Sequence, residues 1–167
     1  MRLALCEVFR AKWSSKVHEE WIEAVLRNRP DLKREQLEHT RELMDAHGRD
    51  CLVEDFESLI DSLRLPDPTD RHVLAAAIRG RADIIVTRNI KDFPRERLDP
   101  YGIEAQLPDT FITHLLDLNA AAVVRAALEH RASLKNPPKS VAEYLHTLAR
   151  QGLTQTVAEL PAFASSL

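Results

Sequence analysis

The sequence has few of the residues that characterise several classes of protein. Its 167 residues include two cysteines, Cys6 and Cys51, which lie far apart and match no metal-ligand spacing. This excludes a disulfide scaffold and a cysteine-based zinc site, and we expect free thiols in a reducing cytosol. No apolar run approaches the roughly 18 residues of a membrane span. Glu7 and Arg10 interrupt the first apolar residues, so we expect neither a signal peptide nor a membrane segment, and a cytoplasmic location.

The sequence also lacks a net positive charge and has few aromatic side chains. The formal net charge is −3 at pH 7, so no global basic field attracts nucleic acid, although a local basic patch would suffice. Aromatic residues make up 5% of the chain, so base stacking is not expected to be the main grip on a nucleic acid. The apolar fraction of 44% and the charged fraction of 29% are typical of a globular protein. The length suits one domain with an appendage.

Predicted strands and helices alternate along the first two thirds of the chain. An apolar, β-branched run at 82–86 predicts a buried parallel strand, and 102–106 predicts a weaker edge strand. Residues 11–14 and 51–54 are further strand candidates. This alternation predicts an α/β fold with a central parallel sheet. The predicted helices of this part cover residues 2–10, 16–28, 33–47, 55–63, 70–79 and 109–116.

The character of the sequence changes after residue 117. An alanine-rich helix is predicted over 120–134, followed by a proline break and two further helices, over 141–150 and 154–160. Ser140 and Glu143 form a predicted capping box at the start of the first of these two. We therefore divide the chain into an α/β domain, residues 1–117, and a helical extension, residues 118–167. The extension cannot make a core alone, so it must pack on the α/β part or on a partner.

Polar side chains gather around the predicted strand at 82–86. Asp67 and Asp70 lie at the start of the preceding helix, and Thr87, Asn89 and Asp92 directly follow the strand. Ligands of parallel α/β sheets bind outside the carboxyl ends of the strands. A helix antiparallel to its strand begins near that same end, so Asp70 and Asp92 are expected to converge. Glu20, in the helix after the candidate strand at 11–14, can approach the same edge.

Three carboxylates at one site repel each other unless a cation lies between them. Oxygen ligands of this kind suit Mg²⁺ or Mn²⁺. Such ions, held by acids and water, support in-line attack on a phosphodiester. The sequence therefore suggests a metal-dependent phosphodiesterase site formed by Glu20, Asp70 and Asp92.

Each of these residues also has an ordinary structural interpretation. Asp70 is at a position where helix capping selects aspartate, and Asn89 with Asp92 could simply shape a turn before Pro94. Glu20 adjoins Glu19, a pattern typical of a solvated helix face. His72, beside Asp70, fits a packing or surface residue better than a base. No position is specific by itself, whereas the ordered set is.

The ordered set strongly resembles the PIN-domain family, and most closely its VapC-type toxin branch. The resemblance rests on Asp-Pro-Thr-Asp-Arg-His-Val-Leu-Ala-Ala-Ala at 67–77, on Ala-Asp-Ile-Ile-Val-Thr-Arg-Asn-Ile-Lys-Asp-Phe-Pro at 82–94, and on Trp-Ser-Ser-Lys-Val-His-Glu-Glu-Trp at 13–21. It covers about residues 10–115. The segment Ser-Leu-Lys-Asn-Pro-Pro-Lys-Ser-Val-Ala-Glu-Tyr-Leu at 133–145 also resembles a C-terminal helical extension of one subgroup.

The resemblance implies a three-layer PIN fold and a metal-dependent ribonuclease with four clustered acids. By motif, Glu20 corresponds to the second acid, Asp70 to the third and Asp92 to the fourth. Thr87 and Asn89 correspond to polar supports of the fourth acid, and Asp67 is an assisting acidic neighbour. The resemblance further implies a protein antitoxin as partner and a homodimer.

Basic residues near the predicted site fit an RNA substrate. Lys and Arg in this stretch could hold phosphates without reading sequence, and the alternative is a solvated charged rim. The candidates for RNA binding are Arg79, Arg81, Arg88 and Lys91, with Arg95 and Arg97 close by in the sequence.

One departure from the family pattern affects the expected activity. PIN domains open with a central hydrophobic strand that ends in an aspartate, whereas no Asp precedes Asp31 here. We therefore expect the first strand and the first acid either to be encoded upstream or to be lost in a degenerate toxin. In both cases this chain is expected to bind metal weakly and to have impaired catalysis. The leading hypothesis is a Mg²⁺-dependent toxin endoribonuclease. An inactive remnant that binds an antitoxin or RNA, and a housekeeping RNA-processing nuclease, are the alternatives.

Overall fold

The computed structural model describes residue 3, residues 8–48 and residues 50–160, apart from the side chain of His47. Two compact units account for the chain. The acid-site unit comprises residues 10–85 and 89–105. The helical unit comprises residues 86–88 and 106–167 together with residues 1–9, as far as these are described. The predicted boundary after residue 117 stays a prediction.

The acid-site unit begins with two helices, α1 (Ser15–Asn28) and α2 (Arg34–His47). Ser14 caps α1, because its Oγ accepts a hydrogen bond from the backbone N–H of Val17 at 3.3 Å. Gly48 ends α2, and its N–H donates to the carbonyl of Met44. Both helices match the predicted ranges within one residue.

A buried polar network joins α1 to α2. The His18 ring, 1% exposed, has its Nε2 3.0 Å from Asp45 Oδ1, and its Nδ1 accepts from Trp21 Nε1 at 2.9 Å. Trp13 Nε1 donates to the same Asp45 oxygen at 2.7 Å. Because Nδ1 is an acceptor, the proton of the neutral ring lies on Nε2 and points at the carboxylate. The network therefore fixes the pairing of the two helices.

The sheet of the described residues is small. Strand β1 (Ile84–Val86) pairs in parallel with β2 (Glu104–Gln106), through Glu104 N to Asp83 O and Thr87 N to Gln106 O, each 2.9 Å. The predicted strands at 11–14 and 51–54 are reduced to one parallel bridge between Trp13 and Leu52. The mixed α/β class is confirmed.

Short elements connect the helices and strands of the acid-site unit. They are α3 (Glu57–Ile60), α4 (Arg71–Arg79), α5 (Arg95–Leu98) and the 3₁₀ turns Pro68–Asp70, Ile90–Asp92 and Asp99–Tyr101. The helix predicted over 55–63 is thus shortened to one turn. The apolar face of α4 is buried against the core through Leu74, Ala75, Ala76 and Ala77. Alanines have small side chains, so this helix can lie close to its neighbours in the core.

The helical unit contains α6 (Pro108–Ser133), α7 (Val141–Arg150) and α8 (Thr154–Glu159). Asn119 interrupts α6 with non-helical φ and ψ of −157° and 77°, and its Oδ1 accepts from Ala122 N at 3.1 Å. The two helices predicted over 109–116 and 120–134 are therefore two segments that meet at a side-chain cap. The capping box of Ser140 and Glu143 is confirmed. The unit's core consists of Leu115, Leu116, Val123, Val124, Tyr144, Leu148 and Leu160.

Helix α6 bears on the expectation that no membrane segment is present. Its 26 residues are long and apolar enough to cross a membrane by length and composition, with a mean hydropathy of 1.4 in its best window. Of that window 44% is buried inside the protein, and core helices pass the same test. The break at Asn119 and the buried Leu and Val side chains fit a core helix.

Two other predictions near the chain start have different outcomes. The helix predicted over 2–10 falls largely outside the described residues, and Val8 and Phe9 form a bend instead of a helix. Phe9 packs edge-on against Phe111 with ring centroids 5.0 Å apart. These residues therefore contribute to the helical unit by packing, without regular structure. Cys51 is buried and free, as expected, whereas Cys6 lies outside the described residues.

Candidate metal centre

Three aspartates of the acid-site unit converge. One carboxylate oxygen from each of Asp67, Asp70 and Asp92 lies within 4.8 Å of the other two, and all three residues are half-buried. Asp67 and Asp70 come from the 3₁₀ turn before α4, and Asp92 ends the 3₁₀ turn after β1. The turn–helix–strand connection thus brings together residues that are 22 to 25 positions apart. The convergence expected for Asp70 and Asp92 is present.

Asp67 is held by the turn that it begins. Its Oδ1 accepts from the backbone N–H of Thr69 at 2.8 Å and from the Thr69 hydroxyl at 2.7 Å. These two hydrogen bonds hold the pKa of Asp67 below its ordinary value. Thr69 precedes α4 by two positions, but its hydroxyl donates to Asp67 and does not cap that helix.

Asp70 occupies the N-cap position of α4 but does not make the capping hydrogen bond. It directly precedes α4, yet its side chain caps no backbone N–H. Burial raises the pKa of Asp70, and the negative charges of Asp67, Asp92 and Glu20 raise it further. The capping interpretation of Asp70 is therefore wrong. A half-buried carboxylate among like charges costs folding energy and is available to a ligand.

Asp92 is supported from within its own turn. The Asn89 amide Nδ2 donates to Asp92 Oδ2, and Asn89 does not cap the turn with its side chain. The structure thus places one predicted support, Asn89, on its predicted partner. Thr87, the other support, pairs through its backbone with Gln106 and belongs to the helical unit.

Glu20 is held by a histidine from α4. His72 Nε2 lies 2.8 Å from Glu20 Oε1, although the two residues are 52 positions apart. The His72 side chain is fully buried, while that of Glu20 is 52% exposed. Burial lowers the pKa of His72, and the Glu20 charge opposes that shift. Glu20 is not one of the three residues within 4.8 Å, and it acts on Asp70 through its charge.

The aspartates have no positively charged partner in the part of the chain that the structure describes. None of Asp67, Asp70 and Asp92 has a basic side chain within 4.0 Å. Structural carboxylates that are buried are normally paired. Converging oxygen donors without a counter-ion suit a hard cation such as Mg²⁺ or Mn²⁺. The donor set therefore fits a divalent ion of this type.

The basic candidates are dispersed. Arg79 lies 3.8 Å from Asp55, and Arg81 and Lys91 are exposed. Arg88 Nη2 donates to the carbonyl of Gln151, the residue after α7, at 3.0 Å. A cation at a helix C-terminus is stabilising, so Arg88 has a structural contact inside the helical unit. Binding of RNA by these residues stays a prediction.

Sequence reasoning assigned no role at the site to His72 and Thr69. The available signal was their position near two acidic residues: Thr69 lies between Asp67 and Asp70, and His72 lies two positions after Asp70. The partner of Thr69 was within reach of local reasoning, since an aspartate two positions earlier forms such turns. The partner of His72 depends on how α1 packs beside α4, which local spacing does not determine.

Comparisons with known proteins agree with this geometry. The profile of the PIN domain matches residues 1–91, and that of the VapC50 C-terminal domain matches residues 108–162. Over 82 residues the chain is 44% identical to the Mycobacterium tuberculosis protein named Putative ribonuclease VapC50, covering 49% of this chain and 48% of that protein. The chain thus aligns with about half the length of this curated relative. No solved structure matches with statistical significance. Because the first profile covers more than half of the residues, the chain belongs to the PIN domain family, in a VapC-like form with a C-terminal helical region.

Proposed function

We propose that the protein is the toxin component of a toxin–antitoxin system and acts as a metal-dependent endoribonuclease. The observation that carries this proposal is the group of Asp67, Asp70 and Asp92, whose oxygens converge within 4.8 Å with no basic partner among the described residues. Family membership supplies the reaction class, and the relative's name describes that protein as a ribonuclease.

The ligands of a divalent ion, Mg²⁺ or Mn²⁺, would be Asp70 and Asp92, with Glu20 and Asp67 beside them. When bound, such an ion lowers the pKa of a coordinated water and offsets the charge of a phosphodiester. Thr69 and Asn89 each hold one carboxylate oxygen of Asp67 and Asp92. The side chains are thereby oriented before an ion arrives, which reduces the cost of ordering them. No side-chain nucleophile is required.

The remaining parts of the proposal concern partners. Arg79 ends α4, Arg81 follows it and Lys91 follows β1; all three are exposed and could neutralise phosphates of an RNA. We expect a protein antitoxin as partner and a homodimer, as in the family. We also expect a cytoplasmic location, where an RNA target is present and where a free thiol such as that of Cys51 stays reduced.

The deciding experiment is RNA cleavage by the purified chain with Mg²⁺ or Mn²⁺ and with EDTA. Asp70→Asn and Asp92→Asn should each lower the cleavage rate by about a hundredfold or more. Asp83→Asn is the matched control, because Asp83 is an exposed aspartate at the entrance to β1. Undiminished cleavage by Asp70→Asn would overturn the site. If the wild-type chain binds Mn²⁺ but neither it nor any variant cleaves RNA, the protein has a non-catalytic binding role instead.

A second measurement addresses the toxin role. Because catalysis by this chain is expected to be impaired, induced expression in a bacterial host should slow growth for the wild-type chain and equally for Asp83→Asn, and should not for Asp70→Asn. Cleavage in vitro without slower growth would favour a housekeeping RNA-processing nuclease.

A further inference from the structure

The contact between His72 and Glu20 has features beyond those of ordinary packing. The ring of His72 is fully buried, and its Nε2 lies 2.8 Å from Glu20 Oε1. The carboxylate itself is 52% exposed. A rigid, buried group therefore holds one atom of a side chain that would otherwise be free to rotate in solvent.

The direction of this hydrogen bond follows from the chemistry of its partners. An ionised carboxylate only accepts hydrogen bonds, so Nε2 carries the proton and donates it. The other ring nitrogen, Nδ1, is buried and has no hydrogen-bond partner among the described residues. A proton on Nδ1 would be a buried donor without an acceptor, which is unfavourable. The ring is therefore a neutral donor with one fixed tautomer.

The same arrangement recurs at two other acids of the site. Thr69 donates its hydroxyl to Asp67, and Asn89 donates its amide to Asp92. In all three cases a neutral donor holds one carboxylate oxygen and leaves the negative charge in place. An Arg or Lys in these positions would orient the carboxylate equally well but would cancel the charge that a cation requires.

We propose that His72 is a positioning residue that orients Glu20 as a ligand or charge partner of the divalent ion. The inference rests on the proposed metal-dependent function. Its content is that Nε2–H fixes Oε1, so that Oε2 is presented to the site with an undiminished charge. Outer-shell partners of metal ligands typically affect metal affinity by about 10–100-fold.

The test compares two substitutions of His72 by amides that differ in side-chain length. In His72→Gln the amide nitrogen can take the place of Nε2, whereas the amide of His72→Asn is too short. Both variants are polar and smaller than histidine. Binding of Mn²⁺, followed by electron paramagnetic resonance of the free ion, should be weakened about tenfold or more in His72→Asn. The Mn²⁺ affinity of His72→Gln should stay within about threefold of the wild type, because its amide can still hold Glu20.

A matched control is available in the same unit. His18 is also a buried histidine with its Nε2 at a carboxylate, that of Asp45. His18→Asn should lower thermal stability and leave Mn²⁺ affinity unchanged. If His72→Asn behaves like His18→Asn, with lower stability and unchanged affinity, His72 is only structural and the proposal is wrong.

A double-mutant cycle completes the test and separates it from the proposed function. Glu20→Gln should weaken Mn²⁺ binding, and adding His72→Asn should cause no further loss, because the two residues act as one unit. If His72→Asn fails to fold, His72→Ser takes its place in the cycle, because its hydroxyl is also too short to reach Glu20. Unchanged Mn²⁺ affinity in that variant would reject the inference. If Asp70→Asn loses Mn²⁺ binding while the effects of Glu20→Gln and His72→Asn add up, the metal site stands and only the inference about His72 is rejected. Absence of Mn²⁺ binding by the wild-type chain would reject both.

Discussion

Two aspartates at helix starts, one in each unit, have opposite environments. Asp109, the second residue of α6, is 7% exposed and accepts hydrogen bonds from the three residues that begin α8. Asp70, directly before α4, is half-buried and caps no backbone N–H. Burial disfavours the charge of both, but hydrogen bonds led by Thr156 N–H hold the pKa of Asp109 below its ordinary value, whereas the charges beside Asp70 raise its pKa.

This difference separates a carboxylate that stabilises the fold from one that is available to a ligand. The Asp109 oxygens lie 2.9 and 2.7 Å from the N and Oγ1 of Thr156 and 2.8 Å from Gln155 N. The backbone N–H groups in the first turn of a helix have no acceptor within that helix, and a negative charge is favourable there. Asp70 gains none of this compensation, so its ionised form is a cost that a bound cation would offset. Both residues are aspartates at a helix start, although Asp109 is the second residue of its helix and Asp70 directly precedes its own, so their partners distinguish the two roles.

The largest effect is expected when Asp109 is removed. Asp109→Ala leaves the N–H groups of Gln155 and Thr156 without their acceptor and should lower the free energy of unfolding by about 2–3 kcal/mol. Urea unfolding followed by circular dichroism measures this loss. Asp117→Ala is the control, because Asp117 is an exposed aspartate of the same helix, and its effect should stay within about 0.5 kcal/mol. Equal effects of the two substitutions would remove the distinction drawn for Asp109.

The next largest effect is the stabilisation of the fold by a cation bound at Asp70. Mn²⁺ at ten times its dissociation constant should stabilise the wild-type chain by about 1.4 kcal/mol, because it binds only the folded site. Thermal unfolding with Mn²⁺ and with EDTA measures the difference. Asp70→Asn should abolish it, and Asp109→Ala should retain it on a lower baseline. A cation effect that persists in Asp70→Asn would mean that the ion binds elsewhere.

The sequence predicted what local connectivity determines. Asp67, Asp70 and Asp92 belong to one turn–helix–strand–turn segment, so their approach follows from the antiparallel course of α4 and β1. The extents of α1, α2 and α7 were predictable within one residue, because caps at Ser14, Gly48 and Ser140 are local signals. The break at Asn119 was predictable in position for the same reason.

Contacts between distant elements were not predictable from these patterns. An aspartate at the start of a predicted helix favours capping of that helix, but Pro108 occupies the first helical position of α6 and the Asp109 carboxylate binds α8, 45 to 47 residues later. His72 and Glu20 are 52 residues apart, and His18 and Asp45 are 27 apart. Each pair depends on the packing angle of two helices, which apolar periodicity leaves open. The strands at 11–14 and 51–54 were overestimated because β-propensity does not supply a hydrogen-bonded neighbour.

The smallest effect, a gain in stability, tests the cost assigned to Asp70. In EDTA, Asp70→Asn removes the repulsion from Asp67, Asp92 and Glu20 and should raise the free energy of unfolding by up to ~1 kcal/mol, reduced by solvent screening. Because the folded-state pKa of Asp70 lies above its ordinary value of 3.8, the folded protein binds more protons between these two values. The wild type therefore loses stability as pH rises through that interval. The stability gained by Asp70→Asn should be absent at pH values below this interval and constant at pH values above it. Urea unfolding from about pH 3.5 to about pH 7 measures this dependence. A loss of stability in Asp70→Asn would mean that Asp70, like Asp109, is held by contacts that the fold requires.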